Sequence, residues 1–232
     1  MTDILTVRPD IAEIKLVWSI VPVTEESILE LRALNPKGAK EVRYPITKHF
    51  RATDYTDITS FQAAFEAKTL ELNEQGYNTY IVMNPIRPAF MGNTSACDSD
   101  IMCRTSLLID IDRSGSTDNP ATQTEVDAAE ALAHQVRSQM SDEGWPEPVV
   151  VMSGNGYHLY YKLDNLPNDD ESADLVRETL AELARKFNNS TVSIDTIVFN
   201  ASRITKIPGT VARKGQESED RPFRIAKVCH DF

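Results

Sequence analysis

The chain has 232 residues, of which 41% are hydrophobic and 25% are charged. This balance allows a sizeable buried core and excludes a chain that is disordered throughout. No stretch approaches the roughly 18 consecutive apolar residues of a membrane span, and the opening MTDILTVRPD lacks the basic and apolar regions of a signal peptide. We therefore expect a cytoplasmic protein with no membrane partner.

The cysteines argue against a disulfide framework and against a zinc module. Only Cys97, Cys103 and Cys229 are present, and their spacing is irregular. Such sparse cysteine usage fits a reducing compartment.

The charge is unevenly distributed along the chain. A net charge of −11 argues against a broad surface for a polyanion, because nucleic-acid binding usually needs cations. Residues 203–227, however, contain seven Lys or Arg and three acids, a local net charge of +4. This distribution favours a site that grips a triphosphate or a single strand, although a solvated basic segment would look the same.

In the first third of the chain, segments with strand and helix patterns follow one another, as in an α/β unit. KLVWSIVPV (15–23) is a β-branched apolar run closed by a proline, and SILELRAL (27–34) predicts a strand. Apolar residues near helical spacing predict a helix over 57–76, which ends in a glycine. NTYIVMNPI (78–86) predicts the next strand.

The remainder continues this mixture of helices and strands. Helices are predicted over 124–144 and 172–188, because apolar residues there recur on one face. Further strands are predicted at 106–112, 192–199 and 203–210, and two strands joined by a glycine-containing hairpin at 148–164.

Two carboxylates stand out within the apolar strand SLLIDID (106–112). Asp110 and Asp112 are at positions i and i+2, so strand geometry places both on one face, about 7 Å apart. Like charges in apolar surroundings repel, and a hard divalent cation with oxygen ligands would relieve the repulsion. The alternative is an acidic pair where a strand runs out into solvent.

The segment SGNGYH (153–158) combines small residues with polar side chains. Its glycines allow the backbone to approach a ligand closely, and its amides can form an anion-binding nest. Ser153 and His158 add side-chain donors for a phosphate. Asn-Gly is also a strong hairpin signal, and we expect the hairpin to be the scaffold of the site.

A third acidic position follows in VSIDTIVF (192–199). Asp195 could complete a three-carboxylate site, while Arg203 and Lys206 beyond the next turn provide charge that neutralises phosphates. Phosphoryl transfer needs mainly positioning and electrostatic stabilisation, so carboxylate-held metal with Arg, Lys and backbone donors is sufficient.

The order of these motifs resembles the archaeo-eukaryotic primase superfamily, and more closely the primase-polymerase domains of plasmids, phages and mobile elements. D-x-D in an apolar strand, a small-residue turn ending in His, and an apolar strand with Asp match the three motifs of that family. The resemblance implies an α/β (α+β) fold in one catalytic domain over 1–232. It would comprise a smaller N-terminal α/β unit (1–90) and an RRM-like catalytic sheet (91–232).

The resemblance also implies roles for individual residues. Two Mg²⁺ or Mn²⁺ ions would be held by Asp110, Asp112 and Asp195. The incoming nucleotide would be bound by Ser153, Gly154, Asn155, Gly156, His158, Arg203 and Lys206. Candidate DNA contacts in the basic segment are Arg213, Lys214, Arg221 and Arg224.

The function implied is that of a DNA primase-polymerase. It would carry out template-directed, two-metal nucleotidyl transfer, making or extending primers on single-stranded DNA from NTP or dNTP. The implied form is a monomer with a helicase domain or protein as partner, and the chain would fit as a segment of a longer replication protein.

Two alternatives use the same residues differently. One is a non-catalytic replication initiator or single-strand-binding module, with Tyr157, Tyr160 and Tyr161 as stacking platforms. The other is a metal-dependent phosphodiesterase that uses the same carboxylates.

Overall fold

The computed structural model describes residues 7–39, 41, 43–92, 94–115 and 118–232. Within these ranges, four α-helices pack with two antiparallel sheets and a two-stranded ribbon. The mixed α/β class is as predicted from the sequence.

The helices agree closely with the sequence-based expectations. They are α1 (Ile11–Ile14), α2 (Ile58–Glu74), α3 (Gln123–Asp142) and α4 (Asp170–Phe187). The three long helices confirm the predictions over 57–76, 124–144 and 172–188. None of the helices in the described residues is both long and apolar enough to cross a membrane.

The structure has more strands than predicted, and several of the predicted strands differ in length. In chain order they are β1 (Ile28–Leu34), β2 (Ile46–Arg51), β3 (Asn78–Val82), β4 (Cys103–Arg113), β5 (Val149–Met152), β6 (Tyr157–Pro167), β7 (Val192–Ile194), β8 (Ile204–Lys206), β9 (Val211–Ala212), β10 (Arg224–Ile225) and β11 (Lys227–Val228). The strands predicted over 192–199 and 203–210 therefore each contain only three strand residues, and β2 and β9 to β11 were not predicted.

Side chains at the N-cap positions explain where the long helices begin. The Asp57 carboxylate accepts a hydrogen bond from the Ser60 amide at 2.7 Å, and Asp169 caps α4 in the same way. Thr122 and Glu125 form a reciprocal capping box at the start of α3. These contacts satisfy backbone N–H groups that have no partner within the helix.

The β-branched run at 15–23 does not form a strand. Helix α1 continues into a 3₁₀ helix over Lys15–Ser19. The Asp10 carboxylate accepts a hydrogen bond from the Ala12 amide at 2.9 Å and so starts the helix. Ile14, Val17 and Val21 recur every three or four residues and are buried, so helical spacing outweighed β propensity here.

The first sheet has the strand order β2-β1-β3-β8. Helix α2 packs against β1 and β3. Strand β8 comes from the later part of the chain and pairs with β3, with Tyr80 opposite Lys206. Residues on both sides of position 90 thus build this sheet, and the division into 1–90 and 91–232 stays a prediction.

The second sheet has the order β11-β5-β6-β4-β7. Helix α3 packs against β4 and β6, and α4 packs against β7. In this register Asp110 lies opposite His158 on β6, and the Asp195 amide donates to the Asp110 carbonyl at 2.8 Å. All three sequence motifs therefore meet on adjacent strands.

A network around Glu125 ties the start of α3 to β4 and to the C-terminal segment. Arg113 and Arg221 each donate a hydrogen bond to Glu125 Oε2 at 2.9 Å, and the Thr122 amide donates to the same atom at 2.8 Å. Both guanidinium groups also donate to the Pro120 carbonyl. Burial alone would raise the pKa of Glu125, but these hydrogen bonds lower it to about 2.

Replacing Glu125 by Gln should lower the free energy of unfolding at pH 7 by about 2 kcal/mol, the usual size of a hydrogen bond to a charged group. Because the pKa is depressed on folding, this stabilisation is complete above about pH 4.5 and is lost as the pH falls toward 2. Urea unfolding at pH 7 and pH 3 measures both effects. Glu182→Gln, which breaks an exposed pair with Arg185, is the control and should change stability little. Equal stability of Glu125→Gln and wild type at pH 7 would contradict the network's role.

Candidate active site

A cavity of about 440 Å³ lies where the two sheets face each other. The first sheet contributes Tyr80 from β3 and Thr205 from β8, and the second contributes Asp110 from β4 and His158 from β6. The cavity is therefore built by strands that are distant in sequence.

Strand alternation determines which side chains of β4 reach the cavity. Leu108, Asp110 and Asp112 line it, whereas Ile109 and Ile111 are fully buried in the core. The Oδ1 atoms of both aspartates are buried and have no hydrogen-bond partner. Such orphaned carboxylate oxygens are costly unless a cation or donor arrives.

The two carboxylates have opposite pKa shifts. Burial, and then the negative charge of Asp110, raise the pKa of Asp112 to about 6. Burial would also raise the pKa of Asp110, but the neighbouring His158 holds it below its usual value. His158 Nε2 lies 3.4 Å from Asp110 Oδ1, close enough for an ion pair although not aligned as a hydrogen bond.

His158 is oriented by a hydrogen-bond chain that joins the two sheets. Its Nδ1 lies 2.9 Å from Tyr160 Oη, which in turn lies 2.5 Å from Thr205 Oγ1 on β8. This chain directs Nε2 toward Asp110. Burial would lower the pKa of His158, but the adjacent Asp110 raises it above its usual value.

The SGNGYH segment forms the predicted hairpin between β5 and β6. The Ser153 amide donates to the Gly156 carbonyl at 2.8 Å, and Ser153 and Asn155 line the cavity. A Cβ atom on Gly156 would lie 2.5 Å from Asp112 Oδ1, so only glycine fits beside that carboxylate. Gly154 has φ +103° and packs against Ala212, where a side chain would clash.

The hairpin does not present a row of unpaired amides. The Gly156 amide lies 3.2 Å from Ser153 Oγ, and the Gly154 amide lies 3.0 Å from Met152 Sδ. Asn155 Oδ1 accepts a hydrogen bond from the Ala121 amide, which fastens the hairpin to the segment before α3. Any phosphate contact here therefore falls mainly to side chains.

Asp195 lies beside the carboxylate pair but its side chain is used locally. It follows β7 directly across from Asp110, and its Oδ1 accepts a hydrogen bond from the Ile197 amide at 2.8 Å. The described residues that line the cavity include Asp110 and Asp112 but not Asp195. A three-carboxylate site would require this side chain to turn.

The cations predicted from the sequence divide into two groups. Arg203, Lys206, Arg213 and Lys214 line the cavity. Arg221 and Arg224 instead hold the C-terminal segment to the start of α3, since Arg221 binds Glu125 and Arg224 donates to the Ala121 carbonyl at 2.8 Å. Because both side chains already bind groups within the protein, a structural role is favoured over a DNA contact.

Lys206 is an unusual cation because it is almost fully buried. Its Nζ lies 3.2 Å from the Val211 carbonyl and 3.4 Å from Asn78 Oδ1. Burial, and then the nearby Arg213, lower its pKa to about 7. An anion in the cavity would favour its charged form.

A comparison with protein-family models finds no match, and a comparison with curated proteins finds none either. Solved structures do match. The archaeo-eukaryotic primase (AEP) domain of the cyanophage S-2L primase-polymerase aligns at 18% identity with a TM-score of 0.54, covering 97% of this chain and 92% of that domain.

Two further structures align over most of the chain. Primase RepB′ matches at 14% identity with a TM-score of 0.51, covering 95% of this chain and 56% of RepB′. The polymerase domain of Mycobacterium tuberculosis ligase D, solved with DNA, matches at 15% identity with a TM-score of 0.53, covering 92% and 79%. The chain has an archaeo-eukaryotic primase-type fold.

Several residues that line the cavity were not predicted from the sequence as site residues. Lys37, Asn78 and Tyr80 line the cavity. Burial and the two nearby aspartates raise the pKa of Tyr80 to about 12. Asn78 and Tyr80 could have been found, because polar side chains at alternate positions of β3 share one face of the strand. Lys37 carried no signal beyond its place in a turn.

The tyrosines proposed as stacking platforms are not available on the surface. Tyr157, Tyr160 and Tyr161 are 5%, 3% and 1% exposed. Because a base must reach the ring face to stack, these residues cannot serve a single strand in this conformation. That part of the binding-module alternative is wrong.

The residues present fit a divalent metal ion, although they do not enclose one. Among the described residues, no group of three or more acidic, His or Cys side chains is arranged to hold a metal. Asp110 and Asp112 nevertheless offer two orphaned oxygens on one face. Magnesium is commonly held by one or two carboxylates together with substrate phosphates and water.

Replacing Asp112 by Asn should raise the melting temperature near pH 7.5. Folding raises the pKa of Asp112 from 3.8 to about 6, so its charge destabilises the fold by roughly 3 kcal/mol above pH 6. The gain should be about 6 to 12 °C at pH 7.5 and vanish near pH 4. Differential scanning calorimetry at both pH values measures it, with the exposed Asp164→Asn as control. A variant that melts below wild type at pH 7.5 would show that this carboxylate is not strained.

Proposed function

We propose that this chain is a DNA primase-polymerase that makes or extends primers on single-stranded DNA by template-directed nucleotidyl transfer. The observation that carries the proposal is the pair of carboxylates with orphaned oxygens, Asp110 and Asp112, in a cavity that five Lys or Arg residues also line. Negative groups that recruit metal and positive groups that receive phosphates are both needed for transfer between polyanions. The primase-type fold supports the proposal.

The carboxylates would bind the metal. Asp110 and Asp112 would bind Mg²⁺ or Mn²⁺, with Asp195 joining if its side chain leaves the Ile197 amide. Such ions, when bound, stabilise charge on the phosphoryl oxygens and lower the pKa of the attacking hydroxyl. Gly156 leaves the space beside Asp112 clear for this purpose.

The cations and donors around the pair would position the triphosphate. Ser153 and His158 face the cavity from the second sheet, and Arg203 and Lys206 face it from the β8 side. The Arg203 Nε atom is buried without a hydrogen-bond partner. An arriving phosphate would satisfy this donor and would draw Lys206 into its charged form.

The non-catalytic alternative explains these features less well. A module that only binds a polyanion would gain nothing from two buried carboxylates, since their charge repels phosphates. Its proposed stacking residues are also buried. A helicase domain or protein as partner remains part of the proposal for the replication role.

Primer synthesis on single-stranded DNA tests the proposal. Labelled NTPs and dNTPs are supplied with Mg²⁺ or Mn²⁺, with and without a primer, to wild type and Asp110→Ala. We expect labelled products from wild type and a decrease of at least about 100-fold in the variant, as for other groups that stabilise transition-state charge. Asp164→Asn, an exposed carboxylate on β6, should remain active.

Two results would overturn the proposal in different directions. Tight single-strand binding without incorporation under either metal would support the binding module. Shortening of labelled DNA without added nucleotides would support the phosphodiesterase.

A further inference from the structure

The lining of the cavity is positively charged, whereas the chain as a whole is negatively charged. Five of its described lining residues are Lys or Arg and two are Asp, although the chain carries a net charge of −11. Four of these cations lie between residues 203 and 214, and the fifth, Lys37, lies in the turn after β1. Cations gathered in a cleft focus its field on an anionic ligand. Lys37 has no role in the site described so far.

Three turns meet at the edge of the cavity where Lys37 lies. We call them the clasp: residues 35–38, 118–119 and 213–216. The Gly215 amide donates to the Lys37 carbonyl at 2.6 Å, and the Gln216 amide lies 3.5 Å from Asn119 Oδ1. The backbone of residues 213–216 thus lies between the other two turns.

Glycine is required in the middle of the clasp. Gly215 has φ +58°, and a Cβ atom there would lie 2.2 Å from the Asp118 carbonyl oxygen. Gly38 approaches from the other side, where an added Cβ would lie 3.1 Å from Gly215 Cα. The clasp backbone is therefore closely packed, and the side chain of Lys37 is what can rearrange.

The Lys37 side chain is held by a weak contact. Its ammonium forms an ion pair with Asp118, but the two side chains are 67% and 64% exposed. Exposed ion pairs typically contribute little, because water competes for both charges. A ligand with several negative charges in the adjacent cavity would compete well for this ammonium.

We propose that Lys37 is a phosphate-binding residue that Asp118 holds in the free protein and that transfers to the triphosphate when a nucleotide enters the cavity. This inference depends on the proposed function, since it assumes a nucleoside triphosphate as ligand. Asp118 lowers the affinity by occupying the cation that the ligand needs. Because the attraction for the ammonium grows with the charge of the ligand, the pair then favours triphosphates over monophosphates.

Equilibrium binding of a fluorescent nucleoside triphosphate with Mg²⁺ and without DNA tests this exchange on the full chain. Lys37→Ala should weaken binding about tenfold, as expected for loss of one charge-assisted hydrogen bond. Asp118→Asn should tighten binding about threefold, because an exposed pair no longer has to be broken. The double variant should bind like Lys37→Ala. Inorganic triphosphate used as a competitor should show the same changes, since the contact is to phosphate. Lys48→Ala, an exposed lysine on β2 outside the cavity, is the matched control.

The outcomes separate this inference from the proposed function. Weaker binding in both Lys37→Ala and Asp118→Asn would mean that the pair only supports the clasp, and would overturn the exchange. Unchanged binding in Lys37→Ala, with normal wild-type binding, would overturn the phosphate contact but leave the proposed function intact. Absence of wild-type binding to both nucleotide and inorganic triphosphate would overturn both.

Discussion

The repulsion between Asp110 and Asp112 is the constraint on which the candidate site depends. Two carboxylates are held on one face of an apolar strand, and each has a buried oxygen without a hydrogen-bond partner. The surroundings relieve the repulsion only partly: His158 stabilises the charge of Asp110, whereas the pKa of Asp112 rises to about 6. A folded protein keeps such strain where a ligand resolves it, and a divalent cation bound together with phosphates would do so here.

The fold brings the opposing charges to this strained pair from separate parts of the chain. Strand β8, from the second half of the sequence, pairs with β3, so that Lys206 lines the same cavity as the carboxylates. Tyr160 and Thr205 join the two sheets beside His158. Arg221 and Arg224 fasten the C-terminal segment to the start of α3, whereas the Asn78 side chain holds the backbone of Arg213 beside the cavity. The basic segment thus contains cations that hold the fold together, Arg221 and Arg224, and other cations that line the cavity.

Local rules predicted much of this arrangement, and long-range pairing explains what they missed. Alternation in SLLIDID placed both aspartates on one face, and the capped amphipathic helices were predicted within about two residues. The β-branched run at 15–23 forms a helix because its apolar residues also occur at helical spacing. Strand β11 depends on β5, which is far away in sequence. Strand β2 pairs with the preceding strand β1, and β9 pairs with β10, but neither pair has a short turn between its strands that would mark a hairpin. The burial of the three tyrosines and the approach of Lys37 to the cavity depend on tertiary contacts. The Asp195 side chain instead makes a local contact with the Ile197 amide that the strand pattern did not indicate.

Direct metal binding tests the central claim most simply. Mn²⁺ titrated into wild type and into an Asp110→Asn/Asp112→Asn variant can be followed by electron paramagnetic resonance, in which bound Mn²⁺ loses the signal of the free ion. The account predicts saturable binding by wild type that is strengthened by a nucleoside triphosphate, and loss of that binding in a variant that remains folded. Equal Mn²⁺ binding by both proteins would contradict it, because the strained carboxylates would then not be the metal site.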